Sequence, residues 1–223
     1  MGIAERPLKY LANKGARERW NAAHAAHSLG ALSGSIPEEV LSHHGMTQFI
    51  RRGLIVLDIG VGLGNMAKYL RSRGCIVDAL DVADKAEAAV KEHIRRFYLA
   101  DSINQLPSRQ YDLAISQIVA QHQAEDSLRE QIKYVVRALK PGGVFSLHMA
   151  GASEGGFAND LTGPIPVGMD GAMCRTPEYA IKLARSAAEG CQVVEVGKRM
   201  MWPQFKSYWY FLHIIKERER ANT

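Results

Sequence analysis

The sequence predicts an α/β protein built on a doubly wound, mostly parallel sheet of seven strands, and three observations carry that prediction. Short apolar runs alternate with helical segments from Gly53 onward, the pattern of parallel strands joined by crossover helices. One run, Ile55-Val56-Leu57-Asp58-Ile59, leads straight into Gly60-Val61-Gly62-Leu63-Gly64 and then a helix from Met66 to Arg73. Strand, glycine turn and helix in that order hold a nucleotide-like cofactor, because glycine lets the backbone approach the ligand and supplies unusual φ values. Acids also recur at strand ends: Asp58 in the first run, Asp81 after Ile76-Val77-Asp78-Ala79-Leu80, and Asp101 after Phe97-Tyr98-Leu99-Ala100.

Residues 1–50 carry no strand signal. Leu8 to Ser28 is alanine-rich with arginines and reads as helix. Ser35-Ile36-Pro37-Glu38-Glu39 reads as an N-cap with proline in the first turn, opening a second helix toward His44 that Gly45 stops. Strand one covers about 54–59 and its helix about 64–73; strand two covers about 75–80, followed by a helix from Val82 to Lys91. Strand three covers about 94–100. A loop from Ile103 to Arg109, broken by Pro107, leads to strand four at Tyr111–Ser116.

A helix over about 125–139 follows, with Asp126 and Glu130 near its start and Lys140 at its end, matching the helix dipole. Pro141-Gly142-Gly143 turns into strand five, Val144 to Met149. Residues 150–172 are glycine-rich and poor in charge, a stretch long enough for a compact domain to suggest a functional or mobile loop, here an acceptor-binding lid. Thr176-Pro177-Glu178 caps a helix to about Glu189. Val193–Val196 and Ser207–Ile215 are the last two strands, the final one following Pro203 after a short connection, as an antiparallel strand does. The chain thus divides into a helical cap at 1–52 and a core at 53–223, with the lid inserted at about 150–172.

Composition narrows the function classes. A chain of 223 residues, 47% hydrophobic and 23% charged, suits one globular domain. It has no apolar run of membrane-spanning length, and Met1–Pro7 lacks a signal peptide's apolar core and fits the myristoylation pattern poorly, so a soluble, cytoplasmic protein is expected. Cys75, Cys174 and Cys191 fit no metal spacing or disulfide framework and read as reduced core thiols. The formal charge of +5 is scattered rather than laid out as a dense track, which makes a nucleic-acid partner an unfavoured reading.

The acids choose between cofactors. A dinucleotide places its pyrophosphate on the turn and helix N-terminus and wants no anion beside it, yet Asp58 lies two residues before the first glycine. The spacing G-x-G-x-x-G also needs glycine at 65, where Asn65 stands. A sulfonium and an ammonium group are instead attracted to a carboxylate there. Asp81, about twenty residues past the glycines, is placed to take both ribose hydroxyls. Three strand-end acids with no phosphate-binding lysine among them favour S-adenosylmethionine over NAD.

Asp58-Ile59-Gly60-Val61-Gly62-Leu63-Gly64 resembles the first motif of the class I S-adenosylmethionine-dependent methyltransferases. Leu80-Asp81 is similar to their second acidic position, Ala100-Asp101-Ser102 to their adenine loop, and Leu139-Lys140-Pro141-Gly142-Gly143-Val144 to their turn into strand five. The resemblance covers roughly residues 50–150. It implies a Rossmann-like sheet of order 3-2-1-4-5-7-6 with the last strand antiparallel. It implies a cofactor set of Asp58, Gly60, Gly62, Gly64, Asp81, Val82, Asp101, Ser102, Ser116 and Gln117, with Val82 against the adenine. Ser116-Gln117-Ile118-Val119 lacks the Asn/Asp-Pro-Pro-Tyr/Phe of the amino-methylating families, which argues against methylation of a base amine or a glutamine amide.

Methyl transfer from a sulfonium needs alignment above all, and a base only if the acceptor is a hydroxyl or a protonated amine. His148, near the end of strand five, and His122, after strand four, stand where a base or acceptor ligand is useful. Trp20, Asn21, His24 and His27 share one helical face; the two histidines lack a third ligand, so no metal is expected, and Trp20 suits either the core or a ligand. The expected activity is methyl transfer to an oxygen or nitrogen of a small molecule, with sugars, glycan precursors and other metabolites all open. The alternatives are a methyltransferase of RNA or protein, a nicotinamide-dependent dehydrogenase, and a non-catalytic module that keeps the cofactor pocket.

Overall fold

A computed structural model describes residues 14–25, 36–152, 174–202 and 207–218. In chain order the elements are α1 (Lys14–Ala25), α2 (Pro37–His43), β1 (Ile55–Ile59), α3 (Asn65–Ser72), β2 (Ile76–Asp81), α4 (Lys85–Val90), β3 (Arg96–Leu99), β4 (Tyr111–Ser116), α5 (Glu125–Ala138), β5 (Leu139–Ala152), α6 (Pro177–Ala187), β6 (Cys191–Trp202) and β7 (Ser207–Lys216). They form one sheet of order β3-β2-β1-β4-β5-β7-β6. β1 to β5 pair in parallel, and β7 runs antiparallel to both β5 and β6. This is the strand order the resemblance implies.

Side chains alternate across a strand, so each buried strand feeds two cores. Leu57, Ile59, Ala114, Phe145 and Leu147 pack against α5 and α6 on one face. Val56, Val77, Ala79, Leu113 and Ile115 pack on the other against Leu41 and Met46 beside α3 and α4. The alternation sends Asp58, Ser146 and His148 to this second face, where α2 also lies. Beneath the ligand edge, the fully buried Asp78 carboxylate accepts from Arg95 Nε at 2.9 Å and Nη2 at 2.7 Å, and from the Tyr111 hydroxyl at 2.8 Å. That network ties β2, β4 and the approach to β3 together around one paired carboxylate.

Several boundaries differ from the sequence reading, each for a local reason. α4 begins at Lys85 rather than Val82, because the Asp81 carboxylate takes the Ala83 N–H at 2.9 Å and holds that stretch in a turn. Ile36 occupies the cap position of α2 without a side-chain bond, and the expected cap, Ser35, lies outside the described residues. The loop expected from Ile103 opens inside a 3-10 helix, Ala100–Gln105. β5 is longer at both ends than Val144–Met149. Leu139 pairs with Tyr111, Val144 pairs with Leu113, and Lys140–Gly143 bulge between them. A Cβ at Gly143 lies 2.9 Å from Lys140 O and 3.0 Å from Tyr111 O, so the bulge closes only around glycine.

At its far end β5 continues through Ala150, Gly151 and Ala152 against Trp209, Tyr208 and Ser207 of β7. Residues 150–152 of the expected lid are therefore strand, and its residues from 153 lie outside the described part of the chain, as does the connection at 203–206. Thr176 caps α6 as expected, its hydroxyl accepting from Tyr179 N, with Pro177 in the first turn. Among the described residues no helix is long and apolar enough to cross a membrane.

Candidate active site

The glycine turn after β1 is the floor of the site. Gly60, Gly62 and Gly64 all have positive φ, at 72°, 52° and 83°. A Cβ on Gly60 lies 2.2 Å from Val119 Cγ2, and one on Gly64 lies 2.5 Å from Val90 Cγ1, so two neighbouring segments press against the turn from below and beside it. A Cβ on Gly62 meets only Gly60 O, at 3.9 Å. The turn is fixed to β2 by Gly60 N–H donating to Leu80 O at 2.7 Å and Gly62 N–H donating to Asp81 Oδ2 at 3.0 Å.

The three strand-end acids stand around this floor. Asp58 is 4% exposed, and its Oδ2 is buried with no hydrogen-bond partner. Burial, helped by the neighbouring Asp81 carboxylate, pushes its pKa up to about 7. Asp81 is buried as well and shifted upward by burial, although it accepts from Gly62 N–H and Ala83 N–H. Each of its oxygens keeps a second lone pair for a further donor. Asp101, on the 3-10 turn after β3 beside Ser102, pairs through Oδ2 with Arg17 Nη2 at 2.7 Å while its Oδ1 is buried without a partner. Ser116, at the end of β4, has a buried hydroxyl in the same condition.

Arg17 went unnoticed in the sequence. Its guanidinium reaches from α1 to Asp101 and donates through Nε to Val82 O at 3.3 Å, joining two of the expected cofactor loops. On the same helix Asn21 Oδ1 accepts from Lys85 N at 3.3 Å, and Trp20 meets the His122 ring edge-on at 5.2 Å. His24 lies near enough to Asp81 to favour its charged form, and His27 is outside the described residues. No group of three potential metal ligands occurs among the described residues.

The histidines divide differently from the expectation. His148 is completely buried, and its Nδ1 accepts the Ile118 N–H at 2.9 Å. Its ring stacks on Phe211 at 5.2 Å and meets Trp209 edge-on at 4.8 Å. His122 sits apart from this cluster, on the 3-10 turn Ala120–His122 under Trp20. The partner the structure brings to His148 is His44, with ring centroids 6.5 Å apart, a residue the sequence reading left without a role. His44 Nε2–H donates to Gln117 Oε1 at 2.6 Å, which leaves Nδ1 to accept the Ser146 hydroxyl at 2.7 Å. Burial pulls the His44 pKa down to about 3, and drives that of His148 well below its usual value.

Two consequences follow for the expected residues. The Gln117 carbonyl is committed to His44, so its remaining amide N–H groups are what it offers a ligand. Ile118, one residue on, adopts φ 57°, a left-handed conformation that a β-branched residue rarely accepts. Arg175 was also missed. Its buried guanidinium donates to Ala120 O at 3.0 Å and Gln123 O at 2.6 Å, while its own N–H donates to Ala150 O at 2.8 Å. It therefore clamps the segment after β4 to the end of β5. Neither His44 nor Arg175 lies in a pattern visible before the chain is folded.

Comparison with known proteins agrees with this geometry. Residues 57–147 match the family described as Methyltransferase domain. The chain is 36% identical over 99 residues to the malonyl-[acyl-carrier protein] O-methyltransferase of Enterobacter lignolyticus, across 43% of this chain and 39% of that one. It is 30% identical over 113 residues to the ubiquinone biosynthesis O-methyltransferase of Paramagnetospirillum magneticum, across 47% and 45%. The matched stretch thus spans less than half the length of these curated relatives. Among solved structures, the Burkholderia thailandensis 1,6-didemethyltoxoflavin-N1-methyltransferase, seen with its substrate and S-adenosylhomocysteine, shares the fold with a TM-score of 0.65. That match is 16% identical and covers 97% of this chain and 93% of the other.

Proposed function

We propose that the chain, whose residues 57–147 match a methyltransferase domain, is a class I S-adenosylmethionine-dependent methyltransferase that methylates an oxygen of a small-molecule acceptor. The observation that carries this reading is the pair of buried, partnerless carboxylate oxygens, Asp58 Oδ2 and Asp101 Oδ1, flanking the glycine turn. Oxygens left so in a protein interior are costly unless a ligand supplies donors or positive charge. S-adenosylmethionine supplies both, together with a methyl group on an already activated sulfonium.

The chain's own residues then bind and align. Asp58, beside Gly60, Gly62 and Gly64, faces the cationic methionine end. Asp81 takes the ribose hydroxyls, Val82, Asp101 and Ser102 frame the adenine, and Ser116 with Gln117 lies toward the reacting methyl. Arg17 and Trp20 close the cap (1–52) over the core (53–223), and the segment from 153 to about 172 serves as the lid. Holding acceptor and methyl in line is worth roughly 7–11 kcal/mol in favourable cases. Oxygen is preferred over nitrogen because the relatives at 30–36% identity named above are O-methyltransferases.

Release of S-adenosylhomocysteine from S-adenosylmethionine, followed by mass spectrometry across a metabolite panel, tests the reading. An acceptor-dependent product carrying one added methyl on oxygen is expected. Asp81→Ala should weaken cofactor binding by about 1.5–3 kcal/mol, the worth of a charge-assisted hydrogen bond; unchanged affinity would remove Asp81 from the site.

A further inference from the structure

Building on the methyltransferase reading, we infer that His148 is a hydrogen-bond donor to an acceptor carboxylate, so that the oxygen methylated arrives already deprotonated. A backbone N–H can only donate, so the bond from Ile118 N to His148 Nδ1 fixes the lone pair on Nδ1 and the proton on Nε2. Nε2 is buried and has no hydrogen-bond partner. An imidazole in this state has no free lone pair with which to take a proton. It does have an N–H that needs an oxygen. The arrangement is held at a cost, because Ile118 adopts φ 57° to deliver its amide, and strain of this kind collects at functional sites.

The surroundings say which oxygen. Trp209 and Phe211 wall the His148 ring, and the titratable groups near it are histidines: His43 and His44 at the end of α2, with His213 on β7 bonded to His44 O at 2.7 Å. Among the described residues no carboxylate bonds to either His44 or His148. The Arg175 backbone N–H holds Ala150 O at 2.8 Å two residues beyond His148, while its guanidinium is committed to Ala120 O and Gln123 O. An ammonium acceptor would meet an N–H and no counter-charge here, whereas an anion meets a donor. His44 cannot supply the missing base, since both its ring nitrogens are engaged by Ser146 and Gln117.

A carboxylate fits this arrangement better than a phenolate. One of its oxygens takes the Nε2–H while the other keeps its lone pairs free to attack. That oxygen forms the new C–O bond as the methyl–sulfur bond breaks with its electrons going to sulfur. The products are a methyl ester and a neutral thioether, and no proton is released. An alcohol would have to lose a proton for which this cluster provides no receiver.

Three matched pairs test the assignment: benzoate and benzyl alcohol, hexanoate and hexanol, and monoethyl malonate and ethyl 3-hydroxypropanoate, with S-adenosylhomocysteine and methyl product as readouts. Methylation confined to carboxylates is expected, with no inflection in the acceptor's kcat/KM between pH 6 and 8 at saturating S-adenosylmethionine. His148→Gln, which keeps an N–H near Nε2, should retain turnover. His148→Phe should raise KM about tenfold or more, as loss of a hydrogen bond to a charged group does. Methylation of alcohols only, of neither member while S-adenosylmethionine binds, or a Gln variant as impaired as Phe would overturn the inference. In the unaltered protein, 15N shifts of His148 should show an Nε2–H tautomer that does not titrate from pH 5.5 to 9, and a titrating or Nδ1–H ring would overturn the assignment directly. Failure of S-adenosylmethionine to bind would sink the methyltransferase reading instead, and the tautomer measurement still decides the role of His148.

Discussion

Asp58 and His44 are buried titratable groups on the same face of the sheet, and burial opposes the charge of each. The Asp58 carboxyl moves up from 3.8 to about 7, so between these values the folded protein holds a proton that the unfolded chain has lost. Its contribution to stability therefore falls as pH rises through that window. His44 moves from 6.5 down to about 3, so the unfolded chain takes up a proton that the folded protein refuses. Its contribution is present above 6.5 and is lost as pH falls toward 3. The two windows overlap with opposite slopes, so unfolding curves of the parent protein alone do not separate them. Denaturant titrations of Asp58→Asn should show a flatter decline from pH 4 to 7, and those of His44→Gln a flatter loss below pH 6.5; parallel curves for parent and variants would refute both assignments. Asp58 was legible in the sequence because strand and glycine turn frame it. His44 was not, because its partners Ser146 and Gln117 stand 102 and 73 residues away.

At the scale of elements, the tightest constraint is the approach of Val119 to Gly60. Gly60→Ala places a methyl where Val119 Cγ2 already stands, at a φ of 72°. Overpacking costs about 1–3 kcal/mol and the left-handed backbone a similar amount. Adding Val119→Ala should recover only the packing part, as read from the midpoint of urea unfolding; full recovery would mean that backbone strain contributes nothing. Arg17 belongs to a weaker contact, a partly exposed ion pair worth about 0–1 kcal/mol. Arg17→Ala should leave global stability nearly unchanged yet speed hydrogen exchange along α1, and unaltered exchange would show that α1 docks without it. Strand and helix positions were largely legible from apolar periodicity. The extension of β5 past Met149 was not, because its small residues, Ala150-Gly151-Ala152, look like loop until β7 continues beside them. α4 lost its first turn to the Asp81 side chain, a competition that apolar spacing does not record.

For the whole molecule, the parallel sheet brings the ends of β1, β2, β3, β4 and β5 to one edge. Three carboxylates gather at one side of that edge and a neutral histidine pair at the other. The division suits a cationic donor beside an acceptor that needs no counter-charge. The strand order came from four motifs that resemble one family, since alternation of apolar runs does not specify which strands are neighbours. The acceptor side was hidden for the opposite reason: His148, His44 and Trp209 come from separate segments and form no motif. The central claim is that the carboxylate-ringed turn takes a cationic methyl donor and refuses a diphosphate. Isothermal titration of the protein with S-adenosylmethionine and, separately, with NAD measures it most directly. Saturable binding of S-adenosylmethionine that weakens below pH 7 as Asp58 takes up its proton, with no binding of NAD, is the predicted result. Binding of NAD without S-adenosylmethionine would contradict it.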